Sequence, residues 1–330
     1  MITKKNISSV FAIFLLSHLI IWTLIPTFSN VNLPLDTIEA LAWGSDLKWG
    51  FNKHPPLSAF FVEIIYQIFG SQDWAYYLLS QIFVIIAFIA VYKFSEEFFN
   101  DKFLGLVSVI LLEGIYYYNF TTPEFNVNIC QLPFWALSIL YTWRCIKFDR
   151  AKDYFYLGLF IGLGILSKYL FIYLLIGIEL LFLYLIRRKK KFKTINYFIS
   201  GPLVLLILLP HLSWLVENNY TTIVYAFQRT EGPGSFLDHL IHPLTFIIKQ
   251  IGILAPFLMM AFFLIKKIKY RISLKDEKLI FLIFVFIIPI FLIFLTSIIA
   301  GVKIRTMWMT PFYLCSGVFM VYIFKKNIKP

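Results

Sequence analysis

Residues 53–69 read KHPPLSAFFVEIIYQIF, and the role given to the apolar part, Leu57 to Phe69, decides the topology of everything after it. Thirteen residues at about 1.5 Å per residue reach only about 20 Å, short of a hydrocarbon core of about 30 Å. The stretch therefore reads as a helix lying in the membrane interface, started by Pro55 and Pro56. Counted as a span, it would invert every later loop.

Working outward, the chain has 330 residues, 60% hydrophobic, 19% aromatic and 15% charged. Soluble domains carry about 25% charge, so the composition excludes a soluble enzyme and points to an all-α, polytopic membrane protein. Apolar runs predict about ten spans, at roughly 7–27, 74–94, 103–119, 126–146, 154–168, 169–186, 195–211, 245–265, 279–299 and 308–324. The first follows Lys4 and Lys5, is too long for a signal-peptide core and lacks a small-residue cleavage pattern, so it reads as an uncleaved span.

The net charge of +12 is explained by sidedness, with no need for a nucleic-acid partner. With the 57–69 segment interfacial and both termini cytoplasmic, 23 of the 30 Lys and Arg residues fall inside. The run Arg187 to Lys191 then reads as a cytoplasmic anchor. Cys130, Cys145 and Cys315 lie in or beside apolar stretches, without the spacing of a disulfide framework or a metal site.

The outside segments become 28–73, 120–125, 212–244 and 300–307, two of them too long to be mere connections. Asp36 and Glu39 stand three apart, so a helix there puts both carboxylates on one face. A capping pair, Asp36 as N-cap and Glu39 at N3, explains the same spacing. Lys53 and His54 at a proline-marked helix start suit an anion site, or simply a helix restart. A phosphate there would favour the charged imidazole. Glu124, in Pro123-Glu124, is either a helix-dipole partner or a second carboxylate. Lys168, ending the fifth span, reads as a snorkelling lysine or a phosphate contact, and Arg229 as a further phosphate candidate. Gly158 and Gly162 are spaced for close helix packing. Trp43 and Trp49 read as interface aromatics, and His211 as an outer helix-end residue. Glu113 and Glu179 sit within spans without an evident partner.

Taken in order, Asp36-x-x-Glu39-Ala-x-x-Trp43-Gly, Lys53-His54-Pro55-Pro56-Leu57, Pro123-Glu124 and Gly-Leu-Gly-Ile-Leu-Ser-Lys168-Tyr169 resemble the bacterial GT-C membrane glycosyltransferases. These include the protein O-mannosyltransferase-like enzymes of family 39 and the family 83 transferases that add aminoarabinose or galacturonic acid to lipid A and core sugars. The resemblance runs to about Trp214 and weakens beyond, leaving a motif half of about 1–214 and a helical remainder of about 215–330 in one transmembrane domain. It implies an inverting transfer from a polyprenyl-phosphate sugar to a glycan, lipid or protein acceptor on the outer face of the bacterial inner membrane. Asp36, with Glu39 and Glu124, would be the catalytic carboxylates; Lys53, His54 and Lys168 would bind the donor phosphate, with Tyr169 and Arg229 as further contacts. No cofactor, nucleotide or metal is called for. Glu124 stands where the family usually has Asp, which keeps the carboxylate on a longer arm, and Glu39 departs from the family in lying three residues from Asp36 where the family often has adjacent acids. A soluble domain of the kind that ends larger members is not expected here. The alternative is a transporter or flippase of a lipid-linked sugar, which would show inverted repeats and a polar path through the bilayer.

Overall fold

The computed structural model describes residues 6–188, 194–230, 232–264, 275–325 and 328, all helical or irregular with no strand among them. The basic stretches at 189–193 and 265–274 and both chain ends, which carry much of the expected cytoplasmic charge, lie outside the described residues.

Among the described residues fourteen α-helices follow in order: α1 (Ile7–Ser29), α2 (Leu35–Gly44), α3 (Leu57–Phe69), α4 (Asp73–Phe99), α5 (Lys102–Ile110), α6 (Val127–Phe148), α7 (Ala151–Ser167), α8 (Ile172–Arg187), α9 (Thr194–Glu217), α10 (Thr221–Arg229), α11 (Asp238–Phe262), α12 (Glu277–Leu282), α13 (Ile288–Ala300) and α14 (Ser316–Phe324). Among the described residues six helical stretches are long and apolar enough to cross a membrane: α1, α4, Tyr169–Arg187, Ile195–Glu217, α11 and Glu277–Ala300. A seventh is counted if Thr306–Tyr313 and Ser316–Phe324, bent by 52°, form one broken span.

The other three expected spans are helical but depart from an uninterrupted apolar run, each for a visible reason. α5 stops after nine residues and gives way to 3-10 turns at Leu111–Gly114 and Tyr116–Tyr118. At Gly114 the backbone of Phe257 approaches so closely that a Cβ would sit 2.6 Å from its Cα. α6 has length but is diluted by Asn128, Gln131 and Arg144, and α7 is 17 residues long. α6 survives this polarity because it is central, packing on α4 and α7, with most of its side chains buried.

α4, α6 and α7 form the middle, with α1 and α5 against α4, and α9 against α7. The α7–α9 contact rests on the predicted small residues. A Cβ at Gly158 would stand 2.7 Å from the Ser200 carbonyl, and one at Gly162 would press on Ile207. The outer helices keep apolar side chains such as Ile13, Phe198 and Leu206 exposed, as lipid-facing surfaces require. α3 buries Leu57, Ser58, Ala59 and Val62 and exposes Ile64, Tyr66, Ile68 and Phe69. Its free face is thus apolar, suited to the edge of a bilayer.

The intramembrane acids have partners that sequence spacing did not reveal. Glu113 meets His18 Nδ1 of α1 at 2.5 Å, and Glu179 accepts from the Tyr197 hydroxyl of α9.

Candidate active site

The site starts from the short helix α2. Its N-cap is Pro34, not Asp36, and no side chain caps it. Asp36 sits in the first turn with its carboxylate making no hydrogen bond or ion pair among the described residues, which removes the capping explanation of Asp36. Two contacts instead fasten α2 to the 119–126 loop. The Asp36 backbone N–H donates to Glu124 Oε1 at 3.2 Å, and Thr37 Oγ1 donates to the Phe125 carbonyl at 3.2 Å.

On the next helix, Asn126 caps α6 by accepting from the Asn128 and Ile129 N–H groups. This first turn of α6 grips Lys168 at both ends: the Lys168 ammonium donates to Asn128 Oδ1 at 2.5 Å, while Gln131 Nε2 donates to the Lys168 carbonyl at 2.9 Å. Trp308 places its ring 5.2 Å from the same ammonium.

The Lys53–His54 loop is braced from three sides. Trp43 stacks on Phe51 at 5.3 Å and meets the His54 ring edge-on at 6.0 Å. Thr222 Oγ1 of α10 donates to the Phe51 carbonyl at 2.5 Å. Gly50 admits the Trp214 ring, which would lie 2.2 Å from any Cβ there. Trp43 is therefore a loop brace as much as an interface aromatic. His211 also differs from expectation: it is 1% exposed, with Nδ1 2.6 Å from the Trp49 carbonyl and Nε2 2.6 Å from the Tyr169 hydroxyl. It pins α9 to this loop.

These elements enclose a cavity of about 90 Å3 lined by Asp36, Glu39, Lys53, His54, Asn128, Lys168, Tyr225, Arg229, Arg305 and Trp308 among others. A second cavity of about 240 Å3 shares Lys53, His54, Lys168, Arg229 and Trp308 and continues along Tyr169, Leu170, Ile172 and Tyr173. A third, of about 310 Å3, shares Arg229 and Arg305 and adds Lys249 and Lys303. The charge count leaves seven basic residues outside or at outer span ends. Six of them, Lys53, Lys168, Arg229, Lys249, Lys303 and Arg305, line these joined cavities; Lys48 instead pairs with Asp46.

The roles of the expected residues separate. Lys53 forms an ion pair with Glu39, which holds the lysine above its ordinary pKa and occupies the Glu39 carboxylate. Glu124 lines none of these cavities and braces α2. Burial and then the neighbouring Glu39 raise the Asp36 pKa, against the pull of Lys168, Lys53 and Arg229. Burial and then Asp36 raise Glu124. Burial pushes Lys168 down to about 7, with Asp36 opposing and Arg305 adding to the fall. His54 lines the cavity but is packed on most sides. Burial, then Lys168, Lys53 and Arg229, push it down to about 3. Without a bound anion the imidazole is thus held neutral, able to donate one hydrogen bond.

Sequence reading missed Lys249, Lys303, Arg305, Asn128 and Trp308. For the cations the signal was available, since they complete the short list left over from the inner face. Among the described residues no three His, Cys, Asp or Glu side chains converge as a metal cage.

The architecture defines an all-helical membrane protein with a polar chamber framed by acids and bases from loops distant in sequence. The family model described as dolichyl-phosphate-mannose-protein mannosyltransferase matches residues 53–214. An undecaprenyl phosphate-alpha-4-amino-4-deoxy-L-arabinose arabinosyl transferase of Wigglesworthia glossinidia brevipalpis is 28% identical over 143 residues, 41% of this chain and 25% of that protein. The lipopolysaccharide core galacturonosyltransferase RgtB of Rhizobium johnstonii is 22% identical over 72% of this chain and 48% of its own. The lipid A galacturonosyltransferase RgtD of the same organism is 21% identical over 77% and 54%. The chain thus spans from a quarter to about half the length of these curated relatives. The family model and these relatives support the resemblance of the motifs to the GT-C membrane glycosyltransferases.

Proposed function

We propose that this protein is a membrane glycosyltransferase that moves a sugar from a polyprenyl-phosphate donor to an acceptor hydroxyl with inversion, on the outer face of the inner membrane. One observation carries the reading. An unpaired carboxylate, Asp36, shares a cavity with Lys53, Lys168, Arg229 and Arg305. A base and an anion-binding group within reach of one reacting centre are what this displacement needs.

In the proposed step the acceptor hydroxyl gives its proton to Asp36 as its oxygen bonds to the anomeric carbon. The bond from that carbon to the phosphate oxygen breaks, and the lipid phosphate leaves with the electron pair. Lys53, Lys168 and Arg229 take up its charge, and His54 adds a neutral donor. The raised Asp36 pKa favours proton acceptance, since a more basic carboxylate is a stronger general base. The cavity of about 240 Å3, with Leu170, Ile172 and Tyr173 in its wall, suits the first units of a prenyl chain.

The reading is tested with purified protein in vesicles, supplied with radiolabelled polyprenyl-phosphate sugar and an envelope glycolipid extract. Label moving to the extract supports it. Label carried across the vesicle membrane without a new glycosidic bond would instead establish a flippase. Orientation is tested by labelling single cysteines: Asn52→Cys should react from outside and Lys275→Cys only after the inner face is opened.

A further inference from the structure

Lys249 is the twelfth of the 25 residues of α11, a helix long and apolar enough to span the membrane. An ammonium at such depth is costly and is tolerated where it faces a polar cavity or a counter-charge. Among the described residues no acid pairs with it, nor with Lys303, Arg305 or Arg229, yet these four line one cavity of about 310 Å3.

The strip carrying Lys303 and Arg305 is held with unusual care. Gly301 turns it at φ +62, where a Cβ would lie 2.8 Å from Pro233 and 2.9 Å from His239 Nε2. Its carbonyl accepts from His242 Nδ1 at 2.9 Å. Further on, the Thr306 carbonyl accepts from the Tyr117 hydroxyl at 2.5 Å, and the Thr310 carbonyl from the Tyr118 hydroxyl at 2.8 Å. Like charges are thereby fixed together, which is unfavourable until an anion joins them.

Beside this cavity, and sharing Lys249 and Thr306 with it, runs an open groove of about 500 Å3 walled by Tyr116, Gly252, Ile253 and Pro256. A cationic pocket continued by an apolar groove along a spanning helix matches a phosphate on a hydrocarbon chain. We infer that Lys249, Lys303 and Arg305 bind the phosphate of a second membrane lipid, distinct from the donor, with its chain in the Tyr116–Gly252–Pro256 groove. The inference rests on the transferase reading only for which lipid arrives: a phosphorylated glycolipid acceptor, or a bilayer phospholipid beside the chamber. Arg229 faces both this pocket and the donor pocket, so the two phosphates would lie on either side of that guanidinium.

The test is binding, which needs no turnover. Native mass spectrometry of the full chain in detergent should show dioleoylphosphatidic acid retained well over dioleoylphosphatidylcholine. Lys249→Met and Lys303→Gln should each weaken that retention by about tenfold, the scale of one charged hydrogen bond. A Cβ at Gly252 meets nothing within 4 Å, so Gly252→Leu should fold normally while filling the groove. It should weaken phosphatidic acid and leave inorganic phosphate binding unchanged. Equal retention of the two lipids, or phosphatidic acid indifferent to Lys249→Met in a protein of unchanged melting temperature, would overturn the site. Phosphorylated envelope glycolipid displacing phosphatidic acid assigns the bound site to the acceptor; failure to displace assigns it to bilayer phospholipid. Loss of this binding in a protein that still transfers sugar would leave the transferase reading intact.

Discussion

The Lys168 ammonium donates to Asn128 Oδ1 and makes no ion pair with Asp36, although both side chains line one cavity. Cation and carboxylate are held near each other without neutralising each other. A reaction that uses both a base and an anion site benefits from that separation.

The separation predicts a pH profile. Lys168 titrates at about 7 in the free protein, so its charged fraction falls as pH rises through that value. Donor kcat/KM should therefore decline above about pH 7. In the complex the bound phosphate raises the lysine pKa, so kcat should hold to higher pH. Lys168→Arg, permanently charged, should abolish the decline. The acid limb, set by Asp36, should lie above the ordinary carboxylate value of 3.8. Steady-state rates from pH 5 to 9 check both limbs.

His54 gives a prediction of stability. Its folded pKa of about 3 lies below the ordinary 6.5, so between these values the unfolded chain binds a proton that the folded chain refuses. Stability should then fall as pH drops from 6.5 toward 3. His54→Phe should lose part of that acid sensitivity in thermal melts. His54→Asn, which keeps a donor, should spare donor KM better than His54→Ala.

Glu39 and Glu124 should matter as braces. Glu39→Gln loses the charge that pairs Lys53, and Glu124→Gln keeps an acceptor for the Asp36 N–H. Each should cost less than about tenfold in kcat, below the contribution typical of a general acid or base. Transfer assays of the two variants decide; a loss of about 100-fold in either would return that carboxylate to the chemistry.

His211→Ala should act on the fold. It leaves the Trp49 carbonyl and the Tyr169 hydroxyl without their partner, at a cost of about 1–3 kcal/mol. The melting temperature should drop while kcat per folded molecule changes only a few-fold.

Much of this architecture is legible in the sequence. Apolar runs show helices, and α3 announced itself by length. Charge sidedness singles out a few cations expected outside or at outer span ends, and the structure gathers most of them around joined cavities. The count of uninterrupted apolar spans was less legible, because the polar residues of α6 are tolerated by burial between α4 and α7, and the break in α5 follows from the approach of α11 at Gly114. Periodicity carries neither fact. Glu39 and Asp36 looked equivalent at i and i+3; only the chain path of 45–53 reveals that Lys53 returns to the first and not to the second. His211 resembled any helix-end aromatic until its two partners, 162 and 42 residues away, came into view.

The central claim is that Asp36 takes the acceptor proton, and Asp36→Asn tests it most directly. Asn nearly preserves the shape and cannot accept a proton as the carboxylate does. With Pro34 as the N-cap, α2 loses no capping hydrogen bond by the change. Measured in vesicles with a polyprenyl-phosphate sugar donor, Asp36→Asn should retain fold and donor binding while turnover falls by about 100-fold or more. Turnover within a few-fold of the unsubstituted protein would contradict the account and remove Asp36 from the mechanism.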